Sequence, residues 1–258
     1  WFLLSKLGYD SKVGYNDKSI YLMVAVSHMV YQTAFFREEP KIYFCLSNSG
    51  RVNDVGKLYS YKGSYPDANR ALNFSIRANP LLLGEPKKRQ LSFRYNNTPY
   101  DITAQYTPAL VHYYQFYPQS EYSIYFSANI NDAALSSLLA QLAPLVKGKS
   151  EPEAVNLLLR FVQTAFPYQT DEQQFAYEKV MLPEETLYYP YSDCEDRAIL
   201  FAYLVRNLLN LPVVAVHYPG HLATAVAFSS KVEGDAITYK GRIFTVADPT
   251  YINANAGM

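Results

Sequence analysis

Cysteine and tryptophan are scarce in this 258-residue chain, which contains two cysteines, Cys45 and Cys194, and one tryptophan. Two cysteines allow at most one disulfide bond and cannot form a disulfide framework or a structural zinc site. The formal net charge is zero, so the charge balance gives no indication of nucleic acid or an anionic membrane surface as a partner. No stretch reaches the ~20 uninterrupted apolar residues of a membrane span.

Length and composition favour a globular protein of one large or two compact domains. Because the chain begins at Trp1, inside an apolar run, we interpret it as a piece of a longer protein. Tyrosine is abundant, with 25 residues, and is densest in "VHYYQFYPQSEYSIYF" (111–126). Such aromatics could stack on a sugar, but alternating aromatics are more typical of core positions and cross-strand pairs.

Three regions differ in their pattern: 1–50, 51–128 and 129–258. The first predicts a short helix that ends at Gly8, then strands around 12–15, 20–26 and 41–46; Cys45 lies in the last of these and is expected to be a small buried hydrophobic residue. The second predicts strands, above all "QLSFRY" and "YDITAQY" around the turn "NNTP", with "LNFSI" and "YSIYFSA" added. We therefore expect a small antiparallel sheet or sandwich there.

From about residue 129 the period becomes helical. "NDAALSSLLAQLAPLV" predicts a helix that Pro144 should end or kink. "SEPEAVNLLLRFVQTAF" predicts a second helix, with Ser150 and Glu153 as a capping box. A third helix should run from Cys194 to about Leu209, followed by the strands "LPVVAVHY", "LATAVAF" and "RIFTVAD". This order predicts an α+β domain.

Cys194 lies at the predicted start of the third helix. Ser192 and Glu195 have capping-box spacing, which would make Cys194 the second helical residue, and Arg197 should lie away from the apolar face. Free amides and the helix dipole favour a thiolate at this position, whereas the flanking acids would raise the pKa of the thiol. Activation of Cys194 would then require a nearby imidazole.

His221 is the best candidate for that imidazole, since it stands between the turn "YPG" and a strand. His28, His112 and His217 lie in apolar surroundings that favour structural roles. Asp248 ends the strand "RIFTVAD". If residues 222–231 and 236–248 pair as one long hairpin with Gly241 as a bulge, His221 and Asp248 meet at its open end. If "KG" makes its own tight turn, Asp248 is expected at the far end; we favour the long hairpin because it completes a Cys–His–Asp relay.

Three blocks, "SDCEDRAILFAYLVRNLLNLPVVAV", "GHLATAV" and "VADPTY", resemble the signature blocks of the transglutaminase-like superfamily. The preceding segment from "FPYQTDEQ" onwards is similar to the bacterial transglutaminase-like cysteine proteinases. The resemblance covers about residues 131–258. It implies a papain-like core, with Cys194 as nucleophile, His221 as general base and acid, and Asp248 as the orienting residue.

The resemblance further implies a cysteine peptidase or amidase that acts on a protein or peptide through a thioester, with no metal or cofactor. Alternatives are an acyl transferase of the same fold and a non-catalytic binding module. Many relatives are bacterial envelope or surface proteins, which implies export by analogy. This chain departs from the pattern at Ser192, where many relatives have glycine, and at Leu222 and Ala223, where many have an aromatic residue. One oxyanion donor should be the N–H of Cys194, and Tyr191 is a candidate for the second by proximity alone.

The segments of residues 1–50 follow one another in an order, and with a hydrophobic character, similar to those of the last 55 or so residues. One interpretation is a degenerate half-copy of the same fold, with Tyr21 or a neighbour at the position of His221 and Ser47 or Asn48 at that of Asp248. The other is an unrelated α/β fragment with a similar hydrophobic pattern.

Overall fold

A computed structural model describes residues 1–46, 55–80, 82, 84–128, 130 and 133–258. The described chain combines α-helices with antiparallel sheets, which confirms the predicted α+β class. It divides into two compact units, Trp1–Ser75 with Gln115–Ile124 and Ile76–Tyr114 with Tyr125–Met258. The sequence pattern predicted boundaries near residues 50 and 128, whereas the first division between these units follows Ser75. No helix among the described residues has both the length and the apolar character needed to cross a bilayer.

The first unit is built on a five-stranded sheet. After the helix α1 (Phe2–Lys6), its strands are β1 (Ser11–Tyr15), β2 (Ile20–Ala25), β3 (Phe35–Glu38), β4 (Lys41–Leu46) and β5 (Tyr59–Ser60). Their spatial order is β3-β4-β2-β1-β5, and every neighbouring pair is antiparallel. Cys45 packs in a buried cluster on β4, as predicted. Burial raises the pKa of its thiol.

Among the described residues of the middle region, one long two-stranded hairpin stands in place of the larger antiparallel sheet or sandwich that was predicted. Strands β6 (Lys87–Tyr95) and β7 (Thr98–Tyr106) form the predicted pair of strands, with Leu91 opposite Ile102. The predicted strands at 72–76 and 122–128 are wrong. Leu72 makes only an isolated bridge, and the tyrosine-rich segment forms the helices α2 (Pro108–Gln115) and α3 (Tyr122–Phe126). Aromatic residues favour strands only weakly, so tertiary packing overrides that preference here.

The second unit combines helices with a four-stranded sheet and with the hairpin β6–β7. Its helices are α4 (Ala133–Val146), α5 (Glu151–Ala165), α6 (Asp171–Phe175), α7 (Pro183–Tyr188) and α8 (Cys194–Leu209). Its strands are β8 (Val213–Tyr218), β9 (His221–Val226), β10 (Ala236–Tyr239) and β11 (Arg242–Ala247), in the order β10-β11-β9-β8. α8 packs on both α5 and β9. Pro144 does not end α4, which continues to Val146, and Ser150 caps α5 without a side-chain hydrogen bond.

The favoured long hairpin is wrong. Lys240 and Gly241 both have positive φ, of 48° and 76°, and form a tight turn between β10 and β11. Residues 227–235 first carry the chain past β9, so β11 lies between β10 and β9 and is antiparallel to both. The end of β11 therefore still meets the start of β9, although the tight turn was expected to separate them.

The two larger sheets share strand order and register. β3-β4-β2-β1 corresponds to β10-β11-β9-β8. Adding 202 to the pair Ser11–Val24 gives Val213–Val226, and adding 201 to Phe35–Phe44 gives Ala236–Thr245. This agreement supports the half-copy interpretation, which remains a prediction.

In that alignment residue 19, which is a serine, corresponds to His221, because 221 − 202 = 19, so neither Tyr21 nor a histidine stands there. The predicted counterparts of Asp248, Ser47 and Asn48, lie outside the described residues.

Candidate active site

Cys194 is the first residue of α8. Asp193 is the N-cap, and its N–H donates to Oδ2 of Asp196 at 3.2 Å. The capping box is therefore one residue later than the predicted Ser192–Glu195 pair. Ser192 cannot serve as the cap because its backbone pairs with the segment around Tyr168 as a short parallel bridge. The backbone N–H of Cys194 consequently belongs to the first turn of the helix, where it has no partner within α8.

The sulfur of Cys194 has two hydrogen-bond partners. The thiol donates to Oε2 of Glu195 at 3.0 Å, and the sulfur accepts the backbone N–H of Leu222. Burial raises the pKa of the Cys194 thiol, and the hydrogen bond and charge of Glu195 raise it further. In this arrangement Cys194 is a protonated thiol, and the acids flanking it act in the predicted direction.

His221 and Asp248 form a direct hydrogen bond, with Nε2 of His221 2.7 Å from Oδ2 of Asp248. The strand register explains this contact: Ala247 pairs with Thr224, so Asp248 falls opposite Ala223 and His221 is its diagonal neighbour on the same face. The other carboxylate oxygen of Asp248 accepts backbone N–H groups two and three residues later, at 2.8 and 3.3 Å. When Nε2 donates to the carboxylate, Nδ1 of His221 is left with its lone pair.

The structure thus brings all three predicted residues to one edge of the second unit. Because the N–H of Leu222 contacts the sulfur, Cys194 lies beside the residue that follows His221. The thiol of Cys194 donates its hydrogen bond to Glu195, and among the described hydrogen bonds none joins the thiol to the imidazole of His221. The side chain of His221 is 32% exposed, so the site is open to solvent.

Two residues near Cys194 were missed by the sequence analysis. Tyr168 is half exposed, and its pKa is raised by burial and then by the nearby Cys194. Arg197 was predicted to lie away from the core, but it is 1% exposed, donates to the carbonyl of Phe166 at 2.5 Å and lies over the ring of Tyr168. Arg197 is three residues after Cys194, so the two lie on the same side of the helix. This i, i+3 spacing could have predicted from the sequence that Arg197 lies near Cys194.

Buried carboxylates surround the start of α8. Asp171, Asp193 and Glu195 each offer an oxygen within 4.8 Å of the other two, and Oδ1 of Asp193 has no hydrogen-bond partner. A hard divalent cation such as Ca²⁺ or Mg²⁺ takes such oxygen ligands, so these are the described residues that could hold a metal ion. No metal site was predicted from the sequence. Asp171 lies 22 residues before Asp193 (193 − 171 = 22) and reaches the cluster through α6, so the chain shows no ligand spacing.

This cluster predicts that stability falls as the pH rises. Burial, and then the charge of Asp196, raise the pKa of Asp171 to about 8; burial also raises the pKa values of Asp193 and Asp196, which share a hydrogen bond. An aspartate with a raised pKa binds more protons folded than unfolded. It therefore has no effect below its unfolded pKa of about 4, and above that it destabilises the fold progressively up to its folded pKa. Asp171 alone should lower the free energy of unfolding by roughly 1 kcal/mol per pH unit in that window.

Urea unfolding between about pH 5 and pH 8, with a chelator present, measures this dependence. Asp171→Asn should flatten the slope, whereas Glu172→Gln, at an exposed position on the same helix, should not. A free energy of unfolding that increases over this range would contradict the prediction. Repeating the titration in millimolar calcium shows whether protons or a bound metal ion neutralise the charge of the carboxylate cluster.

No protein-family model, curated protein or solved structure matches this chain. The assignment of a function therefore depends on the geometry of the site and on the resemblance of the three sequence blocks.

Proposed function

We propose that this protein is a cysteine-dependent amide hydrolase with a papain-like, transglutaminase-like core. The observation that carries the proposal is the 2.7 Å hydrogen bond between His221 and Asp248 beside the helix-start residue Cys194. Nothing in the strand pattern alone requires a histidine and an aspartate to meet at this edge. A nucleophile, an imidazole and a carboxylate that orients it are the elements of a catalytic triad.

In the first chemical step, the thiol of Cys194 turns from Glu195 and gives its proton to Nδ1 of His221. The sulfur attacks the carbonyl carbon of the amide, forming a C–S bond, and negative charge develops on the oxygen. The backbone N–H of Cys194 and the positive end of α8 stabilise this oxyanion. The imidazolium, which Asp248 stabilises, then protonates the leaving nitrogen as the C–N bond breaks, leaving a thioester.

In the second step, His221 takes a proton from water as the water oxygen attacks the thioester. The C–S bond breaks, the acid is released, and the imidazolium of His221 gives the proton to the leaving sulfur, which regenerates the thiol of Cys194 and the neutral imidazole. The substrate class that fits this chemistry is a protein or peptide. The partly exposed imidazole supports hydrolysis, since an exposed thioester is accessible to water.

One observation favours the acyl-transferase alternative. Tyr218 lies nearly parallel to the imidazole of His221, with ring centroids 6.4 Å apart, and provides an aromatic wall that Leu222 and Ala223 do not. Such a wall can help to exclude water and orient an amine. Leu222 and Ala223 are buried in β9.

Hydrolysis and transfer are distinguished by supplying a peptide amide library with a labelled primary amine at millimolar concentration. We expect free acid as the main product, because water at ~55 M competes at an open site. Predominant labelled amide would establish the transferase instead. Cys194→Ala in the same assay gives the background, and no Cys194-dependent product of either kind would favour the non-catalytic module.

A further inference from the structure

Helix α5 holds the segment that follows β11 through three polar side chains, Asn156, Arg160 and Gln163. These residues lie at spacing i, i+4 and i+7, so they share one side of the helix. Oδ1 of Asn156 accepts the N–H of Ala256 at 2.8 Å, and Arg160 donates to the side chain and carbonyl of Asn253. This polar stripe fixes residues 248–256 to α5.

Gln163 is the buried end of the stripe, with 1% of its surface exposed. Its Nε2 donates to the carbonyls of Asp248 and Ala254, both at 3.0 Å, and its Oε1 accepts the N–H of Asn253 at 3.2 Å. Rotating the amide by 180° would direct Oε1 at two carbonyl oxygens. The hydrogen-bond pattern therefore determines the orientation of the amide.

Asp248 is consequently held at three points. Gln163 binds its carbonyl, two backbone N–H groups bind Oδ1, and Oδ2 remains for His221. We propose that Gln163 is a positioning residue that fixes Asp248 and, through it, keeps the neutral imidazole of His221 protonated on Nε2. This inference rests on the proposed function, since it assigns Gln163 to the same triad.

Gln163→Leu tests the proposal, because leucine has a similar volume and cannot hold either carbonyl. The matched control is Asn156→Ala, which releases the same segment from the same helix at a point eight residues from Asp248 (256 − 248 = 8). The first readout is the ¹⁵N NMR spectrum of the His221 ring, which reports the tautomer without any substrate. The second is the rate at which iodoacetamide alkylates Cys194.

For Gln163→Leu we expect a smaller fraction of the Nε2–H tautomer and an alkylation rate lower by on the order of tenfold. Asn156→Ala should leave both at the wild-type values. A folded Gln163→Leu protein with the wild-type tautomer and rate would overturn the proposal and leave Gln163 as a structural anchor only.

If Gln163→Leu does not fold, Gln163→Glu keeps the shape and the acceptor for Asn253 while removing the amide donors. It is expected to change the tautomer in the same direction, and an unchanged tautomer in this variant also overturns the proposal. A wild-type protein with the proton on Nδ1 would instead contradict the His221–Asp248 arrangement and with it the proposed function. If the wild-type imidazole carries its proton on Nε2 and neither Gln163 variant changes this tautomer, the positioning role of Gln163 is rejected and the proposed function is not.

Discussion

Iodoacetamide at near-neutral pH is expected to alkylate Cys194 in the folded protein on the order of a hundredfold faster than Cys45. Cys45 is 4% exposed and reacts only when the sheet opens. Each 1.4 kcal/mol or so of free energy needed for that opening lowers the alkylation rate of Cys45 about tenfold. Cys194 is partly exposed at the start of α8, so its sulfur can be alkylated without opening of the fold, although burial and Glu195 raise the pKa of its thiol. Peptide mass mapping after timed quenching gives both rates in one sample.

Removing the charge of Glu195 should increase the Cys194 rate further. Glu195 is the largest cause, after burial, of the raised pKa of the Cys194 thiol, and Glu195→Gln takes away both the carboxylate acceptor and its charge. Each unit by which the thiol pKa falls raises the thiolate fraction about tenfold. Glu172→Gln removes the same charge from an exposed position and serves as the control. Faster labelling of Cys45, or a Glu195→Gln rate equal to that of wild type, would refute this account of the thiol.

Asp248→Ala is expected to lower turnover of an amide substrate by about 10⁴-fold, the loss seen when the carboxylate of a catalytic triad is replaced. Without the carboxylate, His221 has no partner for Nε2–H, and neither the correct tautomer nor the imidazolium is stabilised. The same variant should slow alkylation of Cys194 at neutral pH, which gives a measurement that does not depend on knowing the substrate.

Asp248→Asn separates this role from the local fold. Asparagine can still accept the N–H groups of Thr250 and Tyr251 through Oδ1, so the turn after β11 is retained. Its NH₂ group, however, donates to Nε2 and reverses the tautomer. We expect an activity loss comparable with that of Asp248→Ala and wild-type stability. Full activity in Asp248→Asn would refute the role of the carboxylate. Activity that survives both changes but disappears with a chelator would show that a metal ion supports the reaction instead.

Much of the second unit could be predicted from the sequence because its signals are local. The apolar period of α8, the strands β8, β9 and β11, and the candidates Cys194, His221 and Asp248 follow from neighbouring residues. The capping register was wrong by one residue because both "SDCE" and "DCED" have the required spacing. The tyrosine-rich helices α2 and α3 were missed because aromatic residues indicate strands only when packing agrees.

The sequence by itself determined helix α8, the strands β8, β9 and β11, the hairpin β6–β7 and the identity of three residues able to form a triad. Only the tertiary structure decided which groups meet. β11 lies between β9 and β10, which places Asp248 beside His221 despite the tight turn at Gly241. Asp171 on α6 lies beside the acids at the start of α8, and Gln163 on α5 donates a hydrogen bond to the carbonyl of Asp248. These contacts join residues 22 to 85 positions apart (193 − 171 and 248 − 163), and they depend on how helices pack on a sheet, which local periodicity does not encode.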